Sequence, residues 1–500
     1  MSLGKRLRLD EVITSMPELG PTLPDGGFSW IVLVGVMAIQ MTVPSISSMY
    51  GVVLGYMVRD DTPDFDMWTK KIALTPILFT AFWSIADPWT RIIVKLASVP
   101  RLIGLVGVSL LSVGVLASGY LASGGVGAYL AGMSAGAVMG IGASFVLVQS
   151  ENVLRRHFRT RLRLALTLRS LALSAGLVLA PGFALALLSE SGLHMGLLMM
   201  ACVFTPTALG TMALRSPNLR SCSSPYSLLL SEEDNELTPR RNPNVARDSQ
   251  PAETSVNSGD AIYEIAEEAS AKGEDPPSLF SQGNNAFNYQ DPDDDLDLFV
   301  APALKSIHFT WKQEFQVFRS LKFWLGTAAC LGARLGALFL WILLPSLTVT
   351  RIEDADLSDG ASLSIVAGIG TLVPNAAAYW RPSTARWRSL AFGGSSWLGA
   401  FVLFGLSYNF SYPGLAILAF AGGVAVGGSA VSVESALQDT LGDQPARKAH
   451  TILSTLVGLA ILLFSFIQSP SLCLQLAALS QCVGGAYWVI VPCLGSIRAR

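Results

Sequence analysis

The sequence predicts an all-α integral membrane protein with twelve transmembrane helices in two six-helix halves. Three observations lead there. Charged residues make up 14% of the 500 residues and hydrophobic residues 51%, whereas a soluble domain carries about 25% charged residues. Twelve apolar segments recur along the chain, each near the ~20 residues a spanning helix needs. One polar insert divides them six and six.

The expected spans run approximately 28–54, 72–97, 101–122, 126–149, 164–188 and 193–214, then 322–349, 361–380, 389–408, 412–437, 450–468 and 473–495. Asp87 and Arg91 interrupt the second. Glycine and small residues crowd the fourth and tenth (AYLAGMSAGAVMGIGAS and FAGGVAVGGSAVS), which lets helices approach closely in lipid. Lys and Arg set the orientation. Lys95, Arg101, RRHFRTRLR (155–163), Arg381, Arg386, Arg388, Arg447, Lys448, Arg498 and Arg500 gather on one side. RDDTPDFD (59–66), Glu190 and IEDADLSD (352–359) gather on the other. The basic side is expected to be cytoplasmic, with both termini, in the plasma membrane. Lys5, Arg6 and Arg8 are followed by no apolar run before residue 28, so the first span is expected to be retained rather than cleaved.

The expected organisation is a tail (1–24), a first half (25–215), a linker (216–302), an interfacial helix (303–321), a second half (322–495) and a tail (496–500). The linker is rich in Ser, Pro, Asn, Asp and Glu and ends in DPDDDLD, a composition that buries no core. The segment IHFTWKQEFQVFRSLKFW mixes aromatic and basic residues, as in helices that lie along a membrane surface or bind a partner. Asn409-Phe410-Ser411 is a glycosylation sequon very close to the membrane. Six cysteines, mostly in apolar runs, show neither CxxC nor paired spacing, so no disulfide framework or zinc site is indicated. The basic residues form no aromatic-interleaved patch for nucleic acid. The four histidines are scattered, and no GxSxG, P-loop or HExxH motif is present. An enzyme, a metal site and a cofactor are therefore not expected.

The six-plus-six layout with its linker resembles that of the major facilitator transporters. Within that layout, PDGGFSW before the first span resembles the signature of the monocarboxylate transporter family, with Asp25, Gly26, Gly27, Phe28, Ser29 and Trp30 in its positions. HFRTRLRLALT before the fifth span resembles the family's second signature, with Phe158, Arg159, Arg161, Leu164 and Ala165 matching and His157 and Thr167 departing. The resemblance implies transport of a small organic anion, with protons as a possible co-substrate, and a single-span immunoglobulin-like partner for surface delivery. It places Asp25 at the mouth of the first helix, where a conformational role is expected; as a residue that can cap free amides, it also suits a helix start. The chain departs from the family's lactate carriers at three charges. Ser45 follows Pro44 where they have Lys, and Gly370 and Pro374 stand at their span-eight Asp and Arg.

Ionisable residues deep in a span are costly and are functional candidates. Asp87 and Arg91, four apart on one helix face, read as a structural pair or a gate. Arg169 either snorkels to the headgroups or takes part in gating. Arg334, mid-way along the seventh span, is either satisfied by carbonyls or Glu434, or binds a substrate carboxylate through its planar fork. Glu434 reads as a proton or cation site, or as an arginine's partner. Asn375, beside Pro374, and Ser45 are polar groups available to a substrate. The leading expectation is a transporter of a monocarboxylate-like anion. The alternatives are aromatic or amphiphilic solutes such as amino acids, or a non-transporting receptor or scaffold.

Overall fold

The computed structural model describes residues 27–59, 65–96, 100–119, 126–158, 160–214, 321–352, 355–380, 384–408, 410–441, 443–467 and 469–498. Asp25, Gly26, Asn409, the linker and the interfacial segment up to residue 320 lie outside them. The described residues form helices only, as lipid demands of a chain that must satisfy its own backbone. The helices are α1 (Phe28–Thr42), α2 (Ile46–Arg59), α3 (Phe65–Leu96), α4 (Pro100–Gly119), α5 (Val126–His157), α6 (Leu162–Met199) and α7 (Thr205–Ala213), then α8 (Leu321–Arg351), α9 (Leu357–Ala377), α10 (Ala385–Gly405), α11 (Tyr412–Leu441), α12 (Asp443–Phe464) and α13 (Pro470–Arg498). Each expected span overlaps a described helix, and nine helical stretches among the described residues are long and apolar enough to cross a membrane.

The boundaries correct the expectation in three places. The first span is two helices, because Pro44 has no N–H to donate and the chain turns at residues 43–45 between α1 and α2. The expected sixth span is interrupted by a 3₁₀ turn at Met200–Phe204 between α6 and α7, whereas its separation from the fifth falls at Gly192, whose φ of 72° is a conformation that L side chains rarely adopt, inside the expected gap at 189–192. Helices α3 and α5 run past the apolar segments, α3 starting at Phe65 in the acidic loop and α5 ending at His157 in the basic one. Helical hydrogen bonding does not stop where hydrophobicity does.

Glycines set how closely the helices pack. A Cβ on Gly140 would lie 2.5 Å from the Phe79 carbonyl oxygen of α3, and one on Gly142 would lie 2.6 Å from the Gly107 oxygen of α4. In the second half Gly423 meets the Ala367 carbonyl and Gly370 the Phe420 carbonyl. The small residues of the fourth and tenth spans thus make the close contacts expected of them.

Among the described residues the two halves meet mainly along three seams. Helix α2 packs on α8, where a Cβ on Gly51 would lie 2.1 Å from the Trp341 carbonyl oxygen. Helix α6 packs on α9, where a Cβ on Gly368 would lie 2.9 Å from Leu177 backbone. Helix α12 packs on α3 through Gly458 against the Ala81 carbonyl, and the Ser454 hydroxyl donates to the Ser84 carbonyl at 2.9 Å.

One arginine closes a helix end on the acidic side. Arg351, at the end of α8, donates Nη1 to the Leu406 carbonyl at 2.6 Å and to the Tyr408 carbonyl at 2.7 Å. A cation there also suits the negative end of the α10 dipole. Arg351→Ala should leave these carbonyls without that donor, costing about 1–2 kcal/mol. The check is thermal unfolding in detergent, with the midpoint expected to fall by a few degrees.

Candidate functional site

The two motif segments meet at the basic face. Gly27 precedes α1 with φ 60°, the left-handed region that favours glycine. The Trp30 ring packs edge-on against Phe158, with centroids 5.6 Å apart. Phe158 is buried and Trp30 half-buried, while Phe28 is exposed. Arg161 is exposed just before α6, where its carbonyl accepts from Ala165 N–H at 3.0 Å.

Nearby lie charged residues of four helices, and ion pairs link those of α5, α6 and α11. Arg91 donates Nε to Asp87 Oδ2 at 2.9 Å and Nη2 to Oδ1 at 3.3 Å, so the expected same-face pair is formed along α3. Glu151 of α5 accepts from Arg155 Nη2 at 2.9 Å and lies 3.7 Å from Arg169 of α6. With its amide oxygen turned to the guanidinium, Gln40 of α1 accepts from Arg169 Nε at 3.0 Å and Nη2 at 3.2 Å. Arg169 therefore does not snorkel outward, because an acid and an amide hold it inside the first half. Arg155 also reaches Glu434 of α11 at 3.5 Å. Glu434 is thus an arginine's partner, but the arginine is Arg155 rather than Arg334. This contact crosses the halves between two exposed side chains, unlike the backbone-close seam of α2 on α8 toward the acidic face.

Arg334 stands apart. Gly332 and Gly336 meet Gln481 of α13. Residue 334, about 200° round the helix from each at 3.6 residues per turn, faces the other way, toward α3. Its Cζ lies 4.8 Å from the centroid of the Trp83 ring. Among the described residues no carboxylate lies within ion-pair distance of it. A cation–π contact is worth about 2 kcal/mol when desolvated, less than the several kcal/mol that desolvating a cation costs. The half-buried Arg334 is therefore an under-compensated positive charge at the middle of the bundle, with its N–H edge able to take an anion bidentately.

The other candidates are placed differently. The Ser45 hydroxyl donates to the Met41 and Thr42 carbonyls at 2.9 and 2.8 Å, which satisfies acceptors at the Pro44 break. Asn375 is buried, and its Nδ2 donates to the Ser174 hydroxyl of α6 at 2.5 Å, tying the halves together; its Oδ1 is buried without a partner among the described residues. At Gly370 a Cβ would lie 2.3 Å from the Phe420 carbonyl oxygen. An acidic side chain has no room there while α9 and α11 stay in contact.

Sequence reasoning missed Glu151, Gln40 and Trp83. Glu151 had a readable signal, its i,i+4 spacing to Arg155 at the end of an apolar run. Gln40 and Trp83 had none, because their partners lie on other helices. The family model described as Major Facilitator Superfamily matches residues 88–465. A search among curated proteins finds no match.

Proposed function

Because the chain belongs to the major facilitator superfamily and is a multi-pass membrane transporter, we propose that it carries a small organic monoanion, monocarboxylate-like, across the plasma membrane. The observation that carries this reading is Arg334, whose guanidinium rests on Trp83 without a carboxylate in reach among the described residues. Arg91, Arg155 and Arg169 each have a carboxylate within 4 Å. One bound negative charge therefore compensates Arg334, whereas a second would be buried at a cost of several kcal/mol.

Transport would proceed by rocking the halves about this midplane site. The basic face is taken as cytoplasmic, with both termini there. The seam of α2 on α8 is then an outer gate, closed here, and the Arg155–Glu434 contact belongs to an inner gate built from the charged cluster. Opening the outer gate must part Gly51 from Trp341. Coupling to protons runs, in this reading, through Glu434, and an uptake that is flat between two pH values removes it. A second reading, aromatic or amphiphilic solutes such as amino acids, is favoured by the indole beside Arg334 and by the missing room for an acid at Gly370.

The test is uptake of radiolabelled lactate, pyruvate, ketone bodies, aromatic amino acids and creatine-like solutes. At sub-saturating concentration Arg334→Ala should lower uptake of the carried anion by about thirtyfold or more, since losing one partner of a buried charge pair costs about 2–5 kcal/mol. Unchanged uptake at equal surface amounts would remove the anion-binding role, and no uptake of any solute would favour a receptor or scaffold.

A further inference from the structure

The arginine of the candidate anion site is held from one side by a residue of the opposite half. Trp83 is half-buried on α3. Its backbone is fixed by α5, since a Cβ on Gly140 would lie 2.8 Å from the Trp83 nitrogen. Its ring is braced by Phe79, with centroids 6.0 Å apart. One turn further along the same face, Asp87 is occupied by Arg91 at 2.9 Å.

We propose that Trp83 is the positioning residue of the anion site: its indole holds the face of the Arg334 guanidinium and leaves the N–H edge to the substrate carboxylate. This rests on the reading of Arg334 as the anion-binding cation. A ring quadrupole attracts the cation without consuming its hydrogen-bond donors, which a carboxylate in the same place would do. On α3 Trp83 stands about one helical turn before Asp87, and Asp87 is paired with Arg91, so a ring rather than a carboxylate lies against Arg334. Without the ring, the guanidinium is free to turn toward Asp87, and a substrate has to displace that contact before it binds. Because α3 and α8 belong to different halves, the site is complete only while those halves are together.

Two measurements test this. The first is a thermal-unfolding cycle on the purified full-length carrier with Trp83→Leu, Arg334→Leu and the double variant. Coupled residues should give shifts that are not additive, with Trp83→Leu costing less in the Arg334→Leu background. The second is the half-saturation concentration for uptake of pyruvate and phenylpyruvate in Trp83→Phe, Trp83→Leu and Trp83→Met. The Phe variant keeps a π face and should raise it less than threefold; Leu and Met should raise it about tenfold, a cation–π contact's worth, with maximal rate changed less. Additive unfolding shifts overturn the contact. Equal half-saturation in the Phe and Leu variants overturns the positioning role. If the unsubstituted carrier takes up no acid of the panel, pyruvate and phenylpyruvate included, the anion reading fails and the positioning role fails with it, even where unfolding shows coupling.

Discussion

Replacing Glu151 by Gln is expected to destabilise the protein by about 3 kcal/mol, near the lower end for breaking a buried ion pair. Glu151 faces two guanidiniums, Arg155 at 2.9 Å and Arg169 at 3.7 Å. Gln keeps the side chain's shape but removes the charge, so two arginines from adjacent helices are left facing each other, and among the described residues Arg169 keeps the neutral Gln40 oxygen but no carboxylate. The side chain is 20% exposed, which is why the lower end of the range applies. The measurement is thermal unfolding together with surface amount. Both should fall, and adding Arg169→Gln should recover part of the loss, because it removes a charge left without its acid. A Glu151→Gln protein as stable as the original would show that the cluster is solvated and carries little energy.

Gly51→Val is expected to abolish transport while leaving the halves folded. A Cβ at residue 51 would lie 2.1 Å from the Trp341 carbonyl oxygen and 3.1 Å from its carbon. These are backbone atoms of α8, so no rotamer change relieves the clash, and valine's branching adds to it. The seam of α2 on α8 cannot close, and a carrier that cannot close one gate cannot complete its cycle. At Gly55 a Cβ would meet Leu357 and Pro345 atoms at 3.2 and 3.3 Å, contacts that a few tenths of an ångström relieve. Gly55→Ala should therefore keep most of the uptake. Uptake normalised to surface amount separates the two variants, and full activity in Gly51→Val would mean this seam is not part of the cycle.

The spans were legible in the sequence because lipid imposes a length and a composition on each of them. The breaks were legible only in part. The break at Gly192 falls in the expected gap between the fifth and sixth spans, although nothing local says which residue there takes a positive φ; the break at Pro44 lies inside what reads as one apolar span. Helix ends ran past the apolar segments because the loop residues from Phe65 and up to His157 continue the backbone ladder. Among the candidate residues, Asp87 with Arg91 was readable from spacing within one helix. The partners of Arg169, Glu434 and Arg334 were not, because each lies on a different helix, and which faces meet is decided by the packing of glycine-lined seams. Ser45 and Asn375 looked available by polarity alone; in three dimensions Ser45 satisfies carbonyls at the Pro44 break and Asn375 bonds Ser174 across the halves.

In the function proposed above, one mid-bundle cation, Arg334, selects a negatively charged substrate. The most direct measurement compares uptake of a carried acid with uptake of its primary amide, which has nearly the same shape and no charge, in the unsubstituted carrier and in Arg334→Gln. The unsubstituted carrier should prefer the acid by at least tenfold, and Arg334→Gln should lose this preference. An Arg334→Gln carrier that still prefers the acid by the same factor would contradict selection by Arg334.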